Sequence, residues 1–207
     1  MILYLHGFRS SPQSNKARLL GQRLASLGHG DYLCPQLPAS PQQAIELVLS
    51  LVASIPAQQL CIIGSSLGGY YATFLAERLG CRALLINPAT TPLLDPERFV
   101  GSSTYYHADL PFEFKPEYIA QLQALAVPAI SQPQRYALLA ATGDEVLDYR
   151  AMLAHYPGAL QLVINGSDHG IAEFEQYLPF VLAFSGVTVD NTDGVADIKR
   201  SDVSMAQ

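Results

Sequence analysis

The sequence predicts an α/β fold, in which a mostly parallel sheet carries helices on both faces. Short apolar segments alternate with helical patterns along most of the 207 residues. This order is typical of parallel sheets, because parallel neighbours require a crossover connection that is usually a helix. Leu60–Ile63 is an uninterrupted apolar run, as expected for a strand that is buried on both faces.

Six strand-like segments alternate with the helical stretches. They are Leu3–Leu5, Tyr32–Cys34, Leu60–Ile63, Ala83–Ile86, Tyr136–Ala141 and Leu160–Ile164. Ser14 is positioned to cap the first helix, which stops at Gly28. Ser40 and Gln43 have the spacing of a capping box, and Pro41 lies at the first helical position, so a second helix begins here.

Three further helices are predicted in the later part of the chain. One covers Leu67–Leu79 and ends at Gly80, and another covers Tyr149–His155. Four apolar residues at helical spacing predict the last one, and Pro179 is expected to kink it. These four are Phe174, Tyr177, Val181 and Phe184.

Two regions interrupt the alternation. The segment of about 88–133 is too long for a simple crossover and holds several prolines among a cluster of aromatic residues, so it is predicted to be an insertion folded over the sheet edge. Its aromatic residues are Tyr105, Tyr106, Phe112, Phe114 and Tyr118. Residues 187–207 are polar and mixed in charge, which predicts a disordered tail after a single domain over 1–186.

Composition excludes several function classes. Lys and Arg total 12 against 18 Asp and Glu, so the formal charge of −6 argues against a nucleic-acid binder. No apolar run approaches the ~20 residues that span a bilayer, and Met1–Leu5 is too short for a secretion signal. The three cysteines have neither C-x-x-C nor zinc spacing, so we expect free thiols, no metal and a cytoplasmic location.

The most specific motif is Gly64-Ser65-Ser66-Leu67-Gly68, which fits G-x-S-x-G between a buried strand and a helix. A serine on such an elbow projects its hydroxyl from a strained turn at the carboxyl edge of the sheet. The glycine spacing selects Ser66 rather than Ser65 as the nucleophile. A glycine-rich turn without catalysis is the alternative interpretation.

A serine hydroxyl needs a base, and the candidates are His6, His29, His107, His155 and His169. His169 is favoured because it lies in a loop directly after the last predicted strand. From there an imidazole can reach the carboxyl edge of the sheet.

The imidazole in turn needs a carboxylate to fix its tautomer. Asp144 follows the strand Tyr136–Ala141 and gives the chain order serine, acid, histidine. Glu145 and Asp148 are rivals, although Asp148 also suits the N-cap of the following helix. Asp168 is expected to be a turn residue of the histidine loop.

Two backbone amides are predicted to form an oxyanion hole. The first belongs to Leu67, the residue after the nucleophile, and the second to Phe8 in the loop after the first strand. Gly7 lets this loop approach the substrate closely. His6 is expected to brace the loop rather than to transfer protons.

With these residues assigned, the chain resembles the α/β-hydrolase superfamily and, within it, the small bacterial esterases of the YqiA-like family. The resemblance extends from Met1 to about Phe184. The matching pieces are Tyr4–Pro12, Pro35–Pro38, Ile63–Thr73, Asn87–Ala89 and Thr142–Arg150. Gly166-Ser167-Asp168-His169 also fits the Gly-x-x-His that often marks the last catalytic segment of this family.

The resemblance implies a serine esterase with no metal and no organic cofactor, in which Ser66 is the nucleophile, Asp144 the acid and His169 the base. It also implies a trimmed, three-layer α/β-hydrolase fold with about six mostly parallel strands in the order 2-1-3-4-5-6. The substrate would be a small acyl ester or thioester.

Candidate substrate contacts are Gly7, Tyr105, Tyr106 and Phe112, although the aromatic rings could equally serve to pack the insertion onto the sheet. An acyl-CoA thioesterase, a serine peptidase and a non-catalytic binding protein with the same fold remain alternatives. The sequence carries no signal for an oligomeric state.

Overall fold

The computed structural model describes residues 1–92, 100–106, 108–188 and 203–204, and its centre is a mostly parallel sheet. The strands are β1 (Ile2–Leu5), β2 (Tyr32–Leu33), β3 (Cys61–Ser65), β4 (Arg82–Ile86), β5 (Gly101–Tyr105), β6 (Ala108–Phe114), β7 (Tyr136–Ala141), β8 (Leu160–Ile164) and β9 (Val203–Ser204). Six of them pair in parallel in the order β2-β1-β3-β4-β7-β8, and β9 adds an antiparallel edge next to β8. The predicted order of six strands is therefore confirmed.

Helices cover both faces of this sheet. They are α1 (Asn15–Ser26), α2 (Pro41–Val52), α3 (Leu67–Leu79), α4 (Glu117–Ala124), α5 (Tyr149–His155) and α6 (Leu178–Phe184). Alternate residues of the strands point to opposite faces. One core joins Leu3, Leu5 and Ile62 with α2 and α3, and the other joins Tyr4 and Ile63 with α1 and α6. The three layers follow from burial of both faces of the strands.

The predicted helix starts are partly confirmed. The Ser40 hydroxyl accepts a hydrogen bond from the Gln43 amide at 3.3 Å, and Pro41 lies in the first turn of α2. Asp148 likewise caps α5 by accepting from the Arg150 amide at 2.9 Å. Ser14 does stand at the N-cap of α1, but its hydroxyl makes no capping hydrogen bond. Sequence spacing located the start of this helix without determining how the start is stabilised.

The predicted kinked helix at the end of the domain is two elements in the structure. A 3-10 helix covers Phe174–Tyr177, and α6 begins at Leu178. Pro179 lies in the first turn of α6, where its missing N–H has no intrahelical partner to lose. The proline therefore marks a helix start instead of bending one continuous helix.

The aromatic insertion contributes an antiparallel hairpin, β5–β6, followed by α4. Phe112 and Phe114 are buried and meet the Phe8 ring edge-on at centroid distances of 5.0 and 5.5 Å. These contacts fix the hairpin against the loop that follows β1. Part of the insertion, 93–99 and 107, lies outside the described residues.

Most of the predicted tail, 187–207, also lies outside the described residues. Its first residue, Val187, is buried in the core shared with α1 and α6, and its amide donates to the Leu182 carbonyl at 2.9 Å. Across the described parts of the chain, every helix is too short or too polar to cross a membrane.

Candidate active site

The loops that carry the candidate residues all begin at the same edge of the sheet. Strand register places Leu5 beside Gly64, Ser65 beside Ile86, and Ala141 beside Ile164. Parallel strands present their carboxyl ends together, which is where open α/β sheets bind their ligands. Segments that are distant in the sequence therefore meet above these strand ends.

Ser66 lies on a sharp turn between β3 and α3. Its φ of 56° and ψ of −122° are unusual for a residue with a side chain. The turn is held by the Ser66 amide, which donates to the Ile86 carbonyl at 3.0 Å, and by the Ser66 carbonyl, which accepts from Ala89 at 3.1 Å. The surrounding hydrogen bonds maintain this strained conformation.

Two glycines make the elbow possible. A Cβ at Gly64 would lie 2.3 Å from the Gly68 carbonyl oxygen, and a Cβ at Gly68 would lie 2.0 Å from the Leu5 carbonyl oxygen. Both distances are far below van der Waals contact, so any side chain here would force the backbone apart. The glycines of the G-x-S-x-G pattern are thus required by backbone packing.

Ser66 and His169 are joined by a hydrogen bond across 103 positions of the chain. Their atoms Oγ and Nε2 are 3.0 Å apart. The other ring nitrogen, Nδ1, lies 2.7 Å from Oδ2 of Asp144. For Nε2 to accept the serine proton, Nδ1 must carry the ring hydrogen and donate it to the carboxylate. A continuous path from hydroxyl to imidazole to carboxylate results.

The sequence left three candidate carboxylates, Asp144, Glu145 and Asp148. Of these, Asp144 is the one whose side chain contacts the His169 ring. Its side chain is 0% exposed, and its Oδ1 accepts from the amides of Val146 and Leu147, each at 2.8 Å. Burial opposes ionisation, but the hydrogen bonds from His169 and these amides outweigh it. The pKa of Asp144 is therefore held below its usual value, and the carboxylate is charged at neutral pH.

The two rival carboxylates have other roles. Asp148 caps α5, whereas Glu145 accepts the backbone N–H of His169 at 3.0 Å through its Oε2. Asp168, the predicted turn residue, accepts from the Ala172 amide at 3.1 Å. Each of these carboxylates thus accepts a hydrogen bond from a different backbone amide, either in the histidine loop or at the start of α5.

The loop after β1 lies directly against Ser66. A Cβ at Gly7 would be 3.2 Å from Cβ of Ser66. His6 is buried, and its Nε2 accepts from the Leu37 amide at 3.1 Å while Nδ1 lies 3.0 Å from the Gly7 carbonyl. These contacts fix the loop, as expected for a bracing histidine. Gly7 and Phe8 line a narrow cleft together with Leu67.

Of the predicted substrate contacts, Tyr105 and Phe112 line this cleft with Gly7. The cleft is narrow, since its volume of about 20 Å³ is enough for about one water molecule. Tyr106 does not belong to the lining. It is 64% exposed and carries the Arg9 guanidinium 4.6 Å from its ring centroid.

Sequence reasoning missed two residues that contact the histidine loop. The Asn87 amide group donates to the backbone carbonyls of Asp168 and His169, and Lys16 Nζ donates to the carbonyl of Gly170. The signal available at Asn87 was its place immediately after a strand, in a piece shared with the YqiA-like family. For Lys16 the sequence offered no signal beyond a charge on α1. Within the described residues, no group of three or more His, Cys, Asp or Glu side chains is arranged to hold a metal ion.

Similar folds occur among solved structures. A candidate hydrolase from Agrobacterium vitis superposes with a TM-score of 0.70 at 19% identity, covering 88% of this chain and 87% of that one. The mouse α/β-hydrolase domain-containing protein 10 gives 0.66 at 17% identity, with 88% and 89% covered. An esterase domain from Rhodothermus marinus gives 0.58 at 18% identity, with 87% and 82% covered.

These structures show that the chain shares the α/β-hydrolase fold. The model of one protein family, described as "Uncharacterised protein family (UPF0227)", matches residues 1–186. This match covers the whole domain expected from the sequence. The chain therefore belongs to UPF0227, the YqiA-like family, and it has the α/β-hydrolase fold.

Proposed function

We propose that this protein is a serine hydrolase that cleaves small carboxylic esters through an acyl-enzyme intermediate. The observation that carries the proposal is the continuous hydrogen-bonded path from Ser66 through His169 to Asp144, with heavy-atom distances of 3.0 and 2.7 Å. Pure ligand binding does not require a hydroxyl, an imidazole and a buried carboxylate in this order. A path of this kind is suited to activating the hydroxyl as a nucleophile.

In the first half-reaction, His169 Nε2 takes the proton of Ser66 as Oγ bonds to the ester carbonyl carbon. The negative charge that develops on the carbonyl oxygen is stabilised by the amides of Leu67 and Phe8. The tetrahedral intermediate collapses, and the alcohol leaves with the proton from His169. Asp144 stays ionised and stabilises the imidazolium.

In the second half-reaction, water attacks the acyl group on Ser66. His169 takes a proton from the water and then returns it to Oγ, so the acid leaves and the enzyme is regenerated. The narrow cleft lined by Tyr105 and Phe112 favours a small acyl or alcohol group. A thioester would be cleaved by the same steps with a thiol as the leaving group.

The three cysteines bear on where this chemistry takes place. Cys34, Cys61 and Cys81 are all free, and the last two are buried. Free thiols are typical of a reducing compartment, which supports the cytoplasm as the place of action.

The decisive experiment is the variant Ser66→Ala, assayed with p-nitrophenyl acetate. We expect a loss of kcat of about 10⁵-fold or more, because no nucleophile remains. The Oγ of Ser66 makes no capping hydrogen bond, so the melting temperature should stay close to that of the wild type. Turnover retained by the folded variant would contradict the proposal.

A fluorophosphonate probe provides an independent test, since it reacts only with an activated serine. We expect labelling of the wild type and none of Ser66→Ala. Folded wild-type protein that is not labelled would indicate a binding protein instead. Comparing kcat/KM for p-nitrophenyl esters and acyl-CoA thioesters then separates an esterase from a thioesterase.

A further inference from the structure

Asn87 occupies a buried junction between three loops at the carboxyl edge of the sheet. It follows β4 directly and adopts a φ of 40°, which asparagine tolerates better than most residues. Its side chain is 0% exposed. Its backbone N–H donates to the Leu139 carbonyl at 2.9 Å, and its Oδ1 accepts from the Ala141 amide at 2.8 Å. Asn87 is thereby fixed to the end of β7.

The other half of the same amide group faces the histidine loop. Its Nδ2 donates to the carbonyls of Asp168 and His169 at 3.2 and 3.1 Å. Both N–H bonds and the oxygen of the side chain are therefore used. A single buried amide group joins the end of β7, from which the Asp144 loop departs, to the backbone of His169.

Lys16 adds a further contact to the histidine loop. Its Nζ, on α1, donates to the carbonyl of Gly170 at 2.7 Å. The carbonyls of three consecutive residues, 168–170, are thus held by two side chains from distant elements. Glu145 holds the same stretch through the His169 amide, at 3.0 Å.

The loop also carries hydrogen bonds of its own, from the Ile171 amide to the Asp168 carbonyl and from the Ala172 amide to Asp168 Oδ1, but these two lie within the turn and do not join it to another element. It is exposed at Asp168 and Gly170, and positive φ angles at Gly166 and Ile171 bracket it. Yet Nε2 of His169 must stay within hydrogen-bond distance of Ser66. Misplacement of a catalytic group by about 1 Å can cost about 10²-fold in rate.

We propose that Asn87 is a positioning residue for His169, and that Lys16 assists it: together they hold three successive backbone carbonyls so that the imidazole stays aligned between Ser66 and Asp144. Neither residue lines the cleft formed by Gly7, Phe8 and Leu67, and both act through His169. The inference rests on the proposed function, because it assigns a partner to the proposed base.

The first test uses Asn87→Asp, which is isosteric and keeps an oxygen for the Ala141 amide. It replaces the NH₂ donor with an oxygen that faces two carbonyls. We expect kcat for p-nitrophenyl acetate to fall about 10- to 100-fold, with KM changed less than about threefold, because substrate contacts are intact. The matched control is Asn165→Ala, in the same loop but exposed and bonded only to the Thr142 hydroxyl in the described structure, which should keep its kcat within twofold.

A double-mutant cycle separates positioning from a merely structural role. In a His169→Ala background there is no imidazole to align, so adding Asn87→Asp should change the residual rate less than about twofold. If Asn87→Asp lowers the residual rate by the same factor as it lowers the wild-type rate, the residue supports the fold alone. That result would overturn the inference.

Lys16→Gln keeps the inference testable if Asn87→Asp does not fold, because Lys16 is half-buried and belongs to neither hydrophobic core. Loss of the contact to Gly170 should lower kcat about three- to tenfold, again without effect in the His169→Ala background. Arg18→Gln, on the exposed face of the same helix, is the control and should retain full turnover.

The outcomes distinguish the two proposals. Full turnover by His169→Ala would reject the proposed function and the inference with it. Loss of turnover in His169→Ala, with Lys16→Gln and folded Asn87→Asp both within twofold of the wild type, would reject the inference alone. A fall of kcat in these variants that disappears without His169 supports both.

Discussion

The turn at Ser66 and the loop of His169 lie at the same edge of the sheet, but they are held in different ways. Backbone packed on backbone fixes the turn at Ser66, since a Cβ at Gly68 would lie 2.0 Å from the Leu5 carbonyl. The loop of His169 is instead held by side chains from distant elements, chiefly Asn87 and Lys16, which donate to its carbonyls.

This difference has a physical consequence. Steric exclusion leaves the elbow a single conformation, so breaking it should damage the fold itself. Polar contacts to a partly exposed loop can be lost one at a time while the core stays packed. We therefore expect changes at the elbow to lower stability and changes around the histidine to lower activity.

The largest expected effect is on activity, at Asp144, the proposed acid. Asp144→Asn should lower kcat about 10⁴-fold, because the amide favours the wrong tautomer of His169. The melting temperature at neutral pH should fall only slightly, because Asn lacks the charge of the carboxylate but can still accept from the two backbone amides. The assay is p-nitrophenyl acetate hydrolysis beside thermal unfolding.

Asp148→Asn is the matched control, since Asn caps helices about as well as Asp. It should keep both activity and stability. If it instead reduced turnover as strongly as Asp144→Asn, the assignment of the acid would be wrong.

The next largest effect is on stability, at the elbow. Gly68→Ala should lower the free energy of unfolding by about 3 kcal/mol or more, because the added methyl group overlaps the backbone of β1. Urea unfolding followed by circular dichroism measures this loss. Gly30→Ala is the control, as nothing lies within 4 Å of a Cβ there. Equal stabilities of the two variants would contradict the steric account of the elbow.

The smallest effect concerns the pH dependence of stability. The pKa of Asp144 is lower in the folded protein than its ordinary value, so the folded state favours the ionised carboxylate. This contribution is present above the unfolded pKa of about 3.9 and is lost as pH falls through the lower folded pKa. The stability gap between wild type and Asp144→Asn should therefore shrink between about pH 5 and pH 2.5. Urea unfolding at these two pH values measures it; a gap that widens with acid would contradict the prediction.

Much of the fold was predictable from local patterns. The limits of α3, β7, α5 and β8 agree with the prediction because apolar periodicity and capping residues act over a few positions. The sequence did not predict the hairpin of β5 and β6 as such. The hairpin packs on Phe8 through Phe112, and a contact between residues so far apart in the chain leaves no local pattern. The sequence predicts a kink at Pro179, whereas the structure has a helix start there, because local sequence alone does not distinguish a helix start from a helix interior.

The amino-acid sequence by itself determined the alternating fold, the elbow at Ser66 and the residue types available for chemistry, because glycine spacing and apolar runs act locally. Only the tertiary structure decided which carboxylate meets His169 and that the amide of Asn87 ties the histidine loop to the end of β7. Such contacts join residues far apart in the chain, and they depend on distances that exist only once the sheet has brought its strand ends together.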